Sequence, residues 1–157
     1  MKERVYIETS VVSYLTGRPS RDMVVAAHQE LTRQWWETRS SKFEVVVSEL
    51  VREESSGGDA DASRRRMAAI ENFPVLKTSD AALVLAERLV SHNLVSSESA
   101  ADALHIAIAT VNGIDYLLKW NCKHLANSTR WQGIESCVEA AGYACPVICT
   151  PEELMEE

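Results

Sequence analysis

The sequence predicts a single α/β domain, residues 1–157, with a mainly parallel sheet that helices cover on both faces. Short apolar runs typical of strands alternate with helical segments along the whole chain, which is the order expected of βαβ units. A length of 157 residues, with 46% hydrophobic and 25% charged residues, is ordinary for one globular domain. No internal repeat, low-complexity tract or domain boundary interrupts the alternation.

Five segments are predicted to be extended, because each is a short apolar run followed by polar or turn-forming residues. In chain order they are residues 4–7, 43–47, 73–78, 115–120 and 146–149.

Helices are predicted between these strands from apolar residues at helical spacing and from capping residues at the ends. A brief helix ends at Gly17, and an amphipathic helix runs from its cap Ser20 to about Thr38. The remaining predicted helices are a short one after residue 48 that Gly57 and Gly58 break, residues 59–72, residues 79–93, the apolar segment 98–113, residues 133–141, and a last turn capped by Thr150.

The charge argues against a protein that binds nucleic acid nonspecifically, and the apolar pattern argues against a membrane or secreted protein. A net charge of −7 argues against nonspecific nucleic-acid binding, because Lys and Arg contacts to phosphate supply most of that affinity. The one dense basic run, residues 64–66, is interpreted as a solvated helix face. No stretch reaches the roughly 18 uninterrupted apolar residues of a membrane span, and residues 1–10 lack the apolar core of a secretory signal. We therefore expect a cytoplasmic protein, with its four cysteines reduced.

Three polar positions are candidates for chemistry. Ligands of a parallel sheet bind beyond the carboxyl ends of the strands, where Glu8 follows the first strand and Asn121 follows the fourth. Asp102 is the only acid after Glu98 in an otherwise small and apolar segment. A carboxylate buried there requires a cation or a hydrogen-bond donor. The alternative for Asp102 is a first-turn aspartate that the helix dipole stabilises.

Four features in this order resemble the PIN domain, and specifically a VapC-like branch with a WNC(K/R)H signature. They are an acid followed by Thr and Ser after the first strand, an acidic helix after the second, the segment ADALHIAIA, and WNCKHLAN after the fourth strand. The resemblance extends from Val5 to about Pro151. It implies a three-layer α/β/α fold and three or four acids that bind Mg²⁺ or Mn²⁺.

The resemblance places the first acid at Glu8, where most members have aspartate, and the third at Asp102. The fourth position is Asn121, where many relatives carry aspartate. Glu8, Glu54 and Asp102 are then the expected metal ligands. Asn121 is expected to contribute a carbonyl oxygen or to orient water, without a negative charge.

The second acid falls on Glu54, and Glu53 and Glu49 remain alternatives because the register of this helix is uncertain from the sequence. His105 lies three residues after Asp102, so we expect it either to hydrogen-bond that acid or to be satisfied by backbone. Lys119 and Trp120 are assigned to the fourth strand and its packing.

The activity that the resemblance implies is metal-dependent hydrolysis of RNA phosphodiester bonds, by an endoribonuclease that a small antitoxin inhibits. It also implies a homodimer, to which Trp35 and Trp36 would contribute unless they pack in the core. Two alternatives remain from the residues. One is a catalytically weak or inactive interaction protein on the same scaffold. The other is a response-regulator-like domain, which lacks the expected pair of acids at the first strand end.

Overall fold

The computed structural model describes residues 2–120 and 128–155. Within these ranges the strands are β1 (Arg4–Ile7), β2 (Glu44–Ser48), β3 (Val75–Leu76), β4 (Tyr116–Leu118) and β5 (Val147–Cys149). The α-helices are α1 (Thr9–Thr16), α2 (Met23–Thr38), α3 (Glu49–Ser55), α4 (Ala60–Ile70), α5 (Asp80–Ser91), α6 (Ala100–Val111) and α7 (Ser128–Ala140). No helix in the described part of the chain is long and apolar enough to cross a membrane.

The five strands form one parallel sheet in the order β3-β2-β1-β4-β5. Ile7 of β1 pairs with Leu118 of β4, so the residues that follow these two strands lie side by side. The chain moves outward from β1 to β3 on one side of the sheet and returns to β4 and β5 on the other. Strand order therefore reverses between β1 and β4, at the centre of the sheet.

Helices cover both faces of the sheet because the direction of the crossovers changes at this point. The connections from β1 to β2 and from β2 to β3 run toward one edge of the sheet and contain α1, α2, α3 and α4. Of these, α1 contacts each of the other three. Helix α5 connects toward β4 and packs against α6 and α7. Since parallel crossovers are right-handed, the two groups lie on opposite faces. The predicted three-layer α/β/α fold is confirmed.

The predicted elements are all present, and their ends differ in places for local reasons. Helix α2 begins after Asp22 and not after Ser20, because the Asp22 carboxylate accepts hydrogen bonds from the N–H groups of Val24 and Val25. Helix α7 begins five residues earlier than predicted. The chain leaves α6 at Gly113, whose φ of +66° is a conformation that glycine adopts without steric cost.

The tryptophan pair of α2 packs mainly inward. Trp35 is fully buried and lies against Phe43, whereas Trp36 is half-buried and contacts Phe73 edge-on. Trp35 is therefore a core residue and does not contribute to a surface between subunits. The predicted homodimer itself stays a prediction.

Candidate active site

Glu8 lies at the centre of the sheet, where the strand order reverses. It is the first residue after β1 and the N-cap of α1, and its carboxylate accepts a hydrogen bond from the Ser10 N–H. The side chain is only 8% exposed. Ligands of open parallel sheets bind in the crevice at this kind of reversal point. The fold therefore places the first predicted acid where a ligand is expected.

Lys119 occupies the equivalent position after β4. The Glu8 N–H donates to the Leu118 carbonyl oxygen across 3.0 Å, which places Lys119 beside Glu8. Although the lysine side chain is only 2% exposed, its ammonium Nζ lies 3.9 Å from Glu8 Oε2 and 3.3 Å from Asp102 Oδ1. Burying an ammonium is costly unless opposite charges compensate it. Here two carboxylates supply that compensation.

Asp102 reaches the same point from the first turn of α6. Its side chain is 28% exposed, and Lys119 Nζ donates to Oδ1. The N-terminal end of the helix dipole also favours a carboxylate at this position. Asp102 therefore has both a cation beside it, which is the Lys119 ammonium, and the favourable end of the helix dipole.

Glu54 is the acid of α3 that approaches the end of β1. Its Oε1 accepts a hydrogen bond from Thr9 Oγ1 across 2.5 Å, and Thr9 is the neighbour of Glu8 in the chain. Of the other two candidates, Glu49 Oε1 accepts from the Thr78 N–H across 3.0 Å, and Glu53 is exposed, as Glu54 itself is. The structure thus joins Glu54, rather than Glu49, to the segment that carries Glu8.

His105 contacts Glu54 and not Asp102, which corrects the expectation from the sequence. Its Nε2 lies 2.8 Å from Glu54 Oε1, and the ring is only 2% exposed. The imidazole is directed toward α3 because its other nitrogen, Nδ1, lies 2.6 Å from the Tyr6 hydroxyl in the core. A three-residue spacing on a helix therefore gave the wrong partner for this histidine.

A buried chain of hydrogen bonds continues from His105 into the core. The Tyr6 hydroxyl lies 2.7 Å from Ser48 Oγ, which also accepts from the Val51 N–H across 3.1 Å as the cap of α3. This series of hydrogen bonds thus begins at Glu54 on α3 and returns to Ser48, at the start of the same helix. Each link constrains the orientation of the next, so the Glu54 carboxylate is held by the core.

The electrostatic environment keeps Glu54 ionised. Burial alone would raise the pKa of this carboxyl, but hydrogen bonds from His105 and Thr9 outweigh it, and the charges of His105 and Lys119 add to the lowering. An ionised carboxylate only accepts, so His105 Nε2–H is the donor. Burial raises the pKa of the Tyr6 phenol far above its usual range, so Tyr6 stays protonated and can donate.

The chain that leads from Lys119 toward Asn121 is anchored at Trp120. The Trp120 N–H donates to Ser10 Oγ across 3.0 Å, and its indole Nε1–H donates to Thr32 Oγ1 across 2.7 Å. The indole ring also stacks on His28, with 4.1 Å between the centroids. Asn121 itself, with the rest of the WNCKHLAN motif, lies outside the described residues.

The donor chemistry of this edge suits a hard divalent cation, since Mg²⁺ and Mn²⁺ prefer carboxylate oxygens. Glu8 and Asp102 contact the same cationic group, and Glu54 is tied to the residue after Glu8. Across residues 2–120 and 128–155, however, no three His, Cys, Asp or Glu side chains are grouped closely enough to hold a metal ion. The acids thus have the right chemistry, and an ammonium lies between two of them.

The basic run of α4 is engaged within the chain. Arg64 and Arg65 both pair with Asp61, and Arg66 donates to the carbonyl oxygens of Ser55 and Gly57. This arrangement agrees with the interpretation of the run as a helix face rather than a surface prepared for RNA.

Solved structures of other proteins share this architecture. Mycobacterium tuberculosis VapC20, described as a sarcin–ricin loop cleaving toxin, matches with a TM-score of 0.60 and 19% identity, over 78% of this chain and 93% of that chain. VapBC2 from Rickettsia felis, solved with a DNA fragment from its promoter, matches with a TM-score of 0.59 and 11% identity, over 94% of this chain and 98% of that chain. The chain has a VapC-like PIN fold. No protein-family model matches the sequence, and no curated protein matches it.

The VapC-like fold confirms the resemblance that the sequence suggested. Sequence identities of 19% and 11% establish the architecture alone, and the WNC(K/R)H branch stays a prediction. The fold also explains why Glu8 and Asp102 contact the same ammonium, because the end of β1 and the first turn of α6 lie at the same edge of the sheet.

Sequence reasoning missed Lys119 as a member of this site. The sequence placed Lys119 inside the predicted strand 115–120, whereas β4 ends at Leu118 and its register with β1 makes Lys119 the neighbour of Glu8. Tyr6 was also missed, and here the sequence offers little signal. A tyrosine inside an apolar strand is ordinary, and only the packing shows that its hydroxyl reaches His105.

Proposed function

We propose that this chain is a divalent-metal-dependent endoribonuclease and the toxin component of a VapBC-like toxin–antitoxin pair. The observation that carries the proposal is that Glu8 and Asp102, from separate elements, contact one ammonium at the reversal point of a VapC-like sheet, while Glu54 is hydrogen-bonded to Thr9, the residue after Glu8. A random distribution of acids on the surface would rarely place Glu8 and Asp102 together, with Glu54 tied to the adjoining residue, at the position where such sheets bind ligands.

The structural neighbours support the reaction class and the partner. VapC20 is described as a toxin that cleaves the sarcin–ricin loop, and VapBC2 was solved with its promoter DNA. We transfer from them an RNA substrate and a small antitoxin that covers the acids. The cytoplasmic location and the homodimer, expected from the sequence, belong to the same proposal.

Glu8, Glu54 and Asp102 would hold Mg²⁺ or Mn²⁺, with Asn121 offering a neutral oxygen. When bound, such an ion supplies positive charge against the scissile phosphate and lowers the pKa of a coordinated water. The protein's own groups set the geometry. The Ser10 N–H orients Glu8, and the hydrogen bonds from Thr9 and His105 hold Glu54.

RNA binding by this chain has to be local. The net charge is −7, and the arginines of α4 are already engaged with neighbouring groups. A folded RNA that presents one exposed phosphodiester at the acidic edge fits these properties better than a long duplex, which would require an extended basic surface. The proposed substrate is therefore a defined site in a structured RNA.

Incubation of the purified protein with total RNA tests this proposal. Parallel reactions would contain Mg²⁺, Mn²⁺ or EDTA, and fragment ends would be mapped by sequencing. We expect a few discrete cuts that require metal and leave 5′-phosphates. Absence of cleavage with either metal, from a protein that is folded by circular dichroism, would contradict the proposal.

A catalytically inactive scaffold that binds a partner is the second candidate. It is favoured by the Lys119 ammonium between Glu8 and Asp102 and by the lack of a three-ligand group among the described residues. Binding of a partner protein by a chain that cleaves no RNA would select this candidate.

A further inference from the structure

Lys119 is a buried charge for which the proposed reaction has no assigned role. Its residue is 1% exposed, and its ammonium contacts carboxylates from two elements, Glu8 after β1 and Asp102 on α6. The two carboxylate oxygens are therefore no farther apart than the sum of the two contact distances. An ammonium that is covalently part of the chain keeps them this close without any dissociable ion.

We propose that Lys119 is a built-in cation that holds Glu8 and Asp102 together and competes with a divalent metal ion for them. This inference rests on the proposed metal site and deepens it. The carboxylates of Glu8 and Asp102 would repel each other if both were charged and unaccompanied, and the ammonium offsets that repulsion in the metal-free protein. A divalent ion that binds the same oxygens meets the repulsion of the lysine instead.

The position of Lys119 in the fold keeps its backbone close to the two acids. Its backbone N–H donates to the Cys149 carbonyl oxygen across 2.9 Å, so the residue continues the pairing of β4 with β5. The following residue, Trp120, is fixed by Ser10 and Thr32. The backbone at Lys119 is thus anchored on both sides, and only the flexible side chain can withdraw from the acids.

The positive charge of Lys119 should therefore lower the affinity of the site for a divalent ion. The repulsion between an ammonium and a divalent ion about 4 Å apart amounts to about a tenfold or larger effect on affinity, even with the screening of water. Replacement of Lys119 by a neutral residue should therefore tighten metal binding, and an arginine should not.

Titration of the purified full-length protein with Mn²⁺, followed by electron paramagnetic resonance of the free ion, tests the inference. We expect Lys119→Met and Lys119→Gln to bind Mn²⁺ at least about tenfold more tightly than the wild type. Lys119→Arg should bind no more tightly than the wild type. Lys77→Met, which removes an exposed lysine charge, is the matched control and should leave the affinity unchanged.

Equal Mn²⁺ affinities for the wild type and for both neutral variants would overturn the inference, whether or not the wild type cleaves RNA. Conversely, tighter binding in a protein that cuts no RNA would uphold it while the nuclease proposal fails. Should the neutral variants be unfolded without metal, Mn²⁺ should restore their circular dichroism, because the ion replaces the missing charge. Failure to restore it would count against the inference.

Discussion

His105 Nε2 donates a hydrogen bond to Glu54 Oε1 across 2.8 Å and joins α6 to α3 beneath the acidic edge of the sheet. The imidazole is buried, and its second nitrogen is held by the Tyr6 hydroxyl, so its orientation is determined from both sides. An outer group that orients a metal-binding carboxylate in this way commonly affects both affinity and activity. The proposed active site thus depends on the core as well as on its acids.

Replacement of His105 should weaken both the fold and the reaction. His105→Leu removes the donor to Glu54 and one partner of the buried Tyr6 hydroxyl, so we expect a loss of about 1–3 kcal/mol in the free energy of unfolding. RNA cleavage should fall about 10–100-fold. Urea unfolding and cleavage rates measure the two effects. His92→Leu, at an exposed histidine that follows α5, should change neither by much.

Because of Glu54, the free energy of unfolding should depend on pH. Its pKa is lower in the folded than in the unfolded chain, because the hydrogen bonds from His105 and Thr9 outweigh the effect of burial. The ionised carboxylate therefore stabilises the fold at neutral pH, and this contribution is lost as the pH falls through the folded pKa. The wild type should be more stable than Glu54→Gln at pH 7, and the difference should shrink in acid.

Urea unfolding at a series of pH values measures this difference. The matched control is Glu53→Gln, which changes the adjacent and exposed acid of the same helix. A difference between the wild type and Glu54→Gln that is constant from neutral to acidic pH would contradict the assignment of Glu54 as the hydrogen-bonded acid.

Thr32 should be important for the anchoring of the chain before Asn121. Its hydroxyl accepts from the buried Trp120 indole N–H and donates to the His28 carbonyl oxygen. Thr32→Val leaves the indole N–H without this acceptor, so we expect a loss of about 1–3 kcal/mol in the free energy of unfolding. Thermal or urea unfolding measures the loss. Thr38→Val, at an exposed threonine of the same helix, is the control. An equal effect at both positions would show that the indole hydrogen bond contributes little.

The fold was predictable from the sequence because alternation and strand ends are local signals. The positions of Glu8 and Asp102 followed from the end of β1 and the start of α6, and the structure brings both to the same ammonium. The partner of His105 was not predictable, since it depends on how far α3 lies from α6. Only tertiary packing sets that separation.

The pairing of Lys119 with Glu8 could not be predicted from the sequence either. A lysine at the end of an apolar strand is compatible with an exposed position, from which its ammonium would face water. The register that pairs Ile7 with Leu118 turns Lys119 into the neighbour of Glu8 and so makes it part of the acidic edge. Single-sequence patterns do not contain that register.

The role of Asp102 can be tested most directly by the rate of RNA cleavage at saturating Mg²⁺ or Mn²⁺. We compare the wild type with Asp102→Asn and with Asp80→Asn, which changes an exposed first-turn aspartate of α5. All three proteins should be folded by circular dichroism. A fall of at least about 100-fold in Asp102→Asn alone is the result we predict. Cleavage by Asp102→Asn at the wild-type rate would show that the acids at the reversal point of the sheet do not perform the reaction.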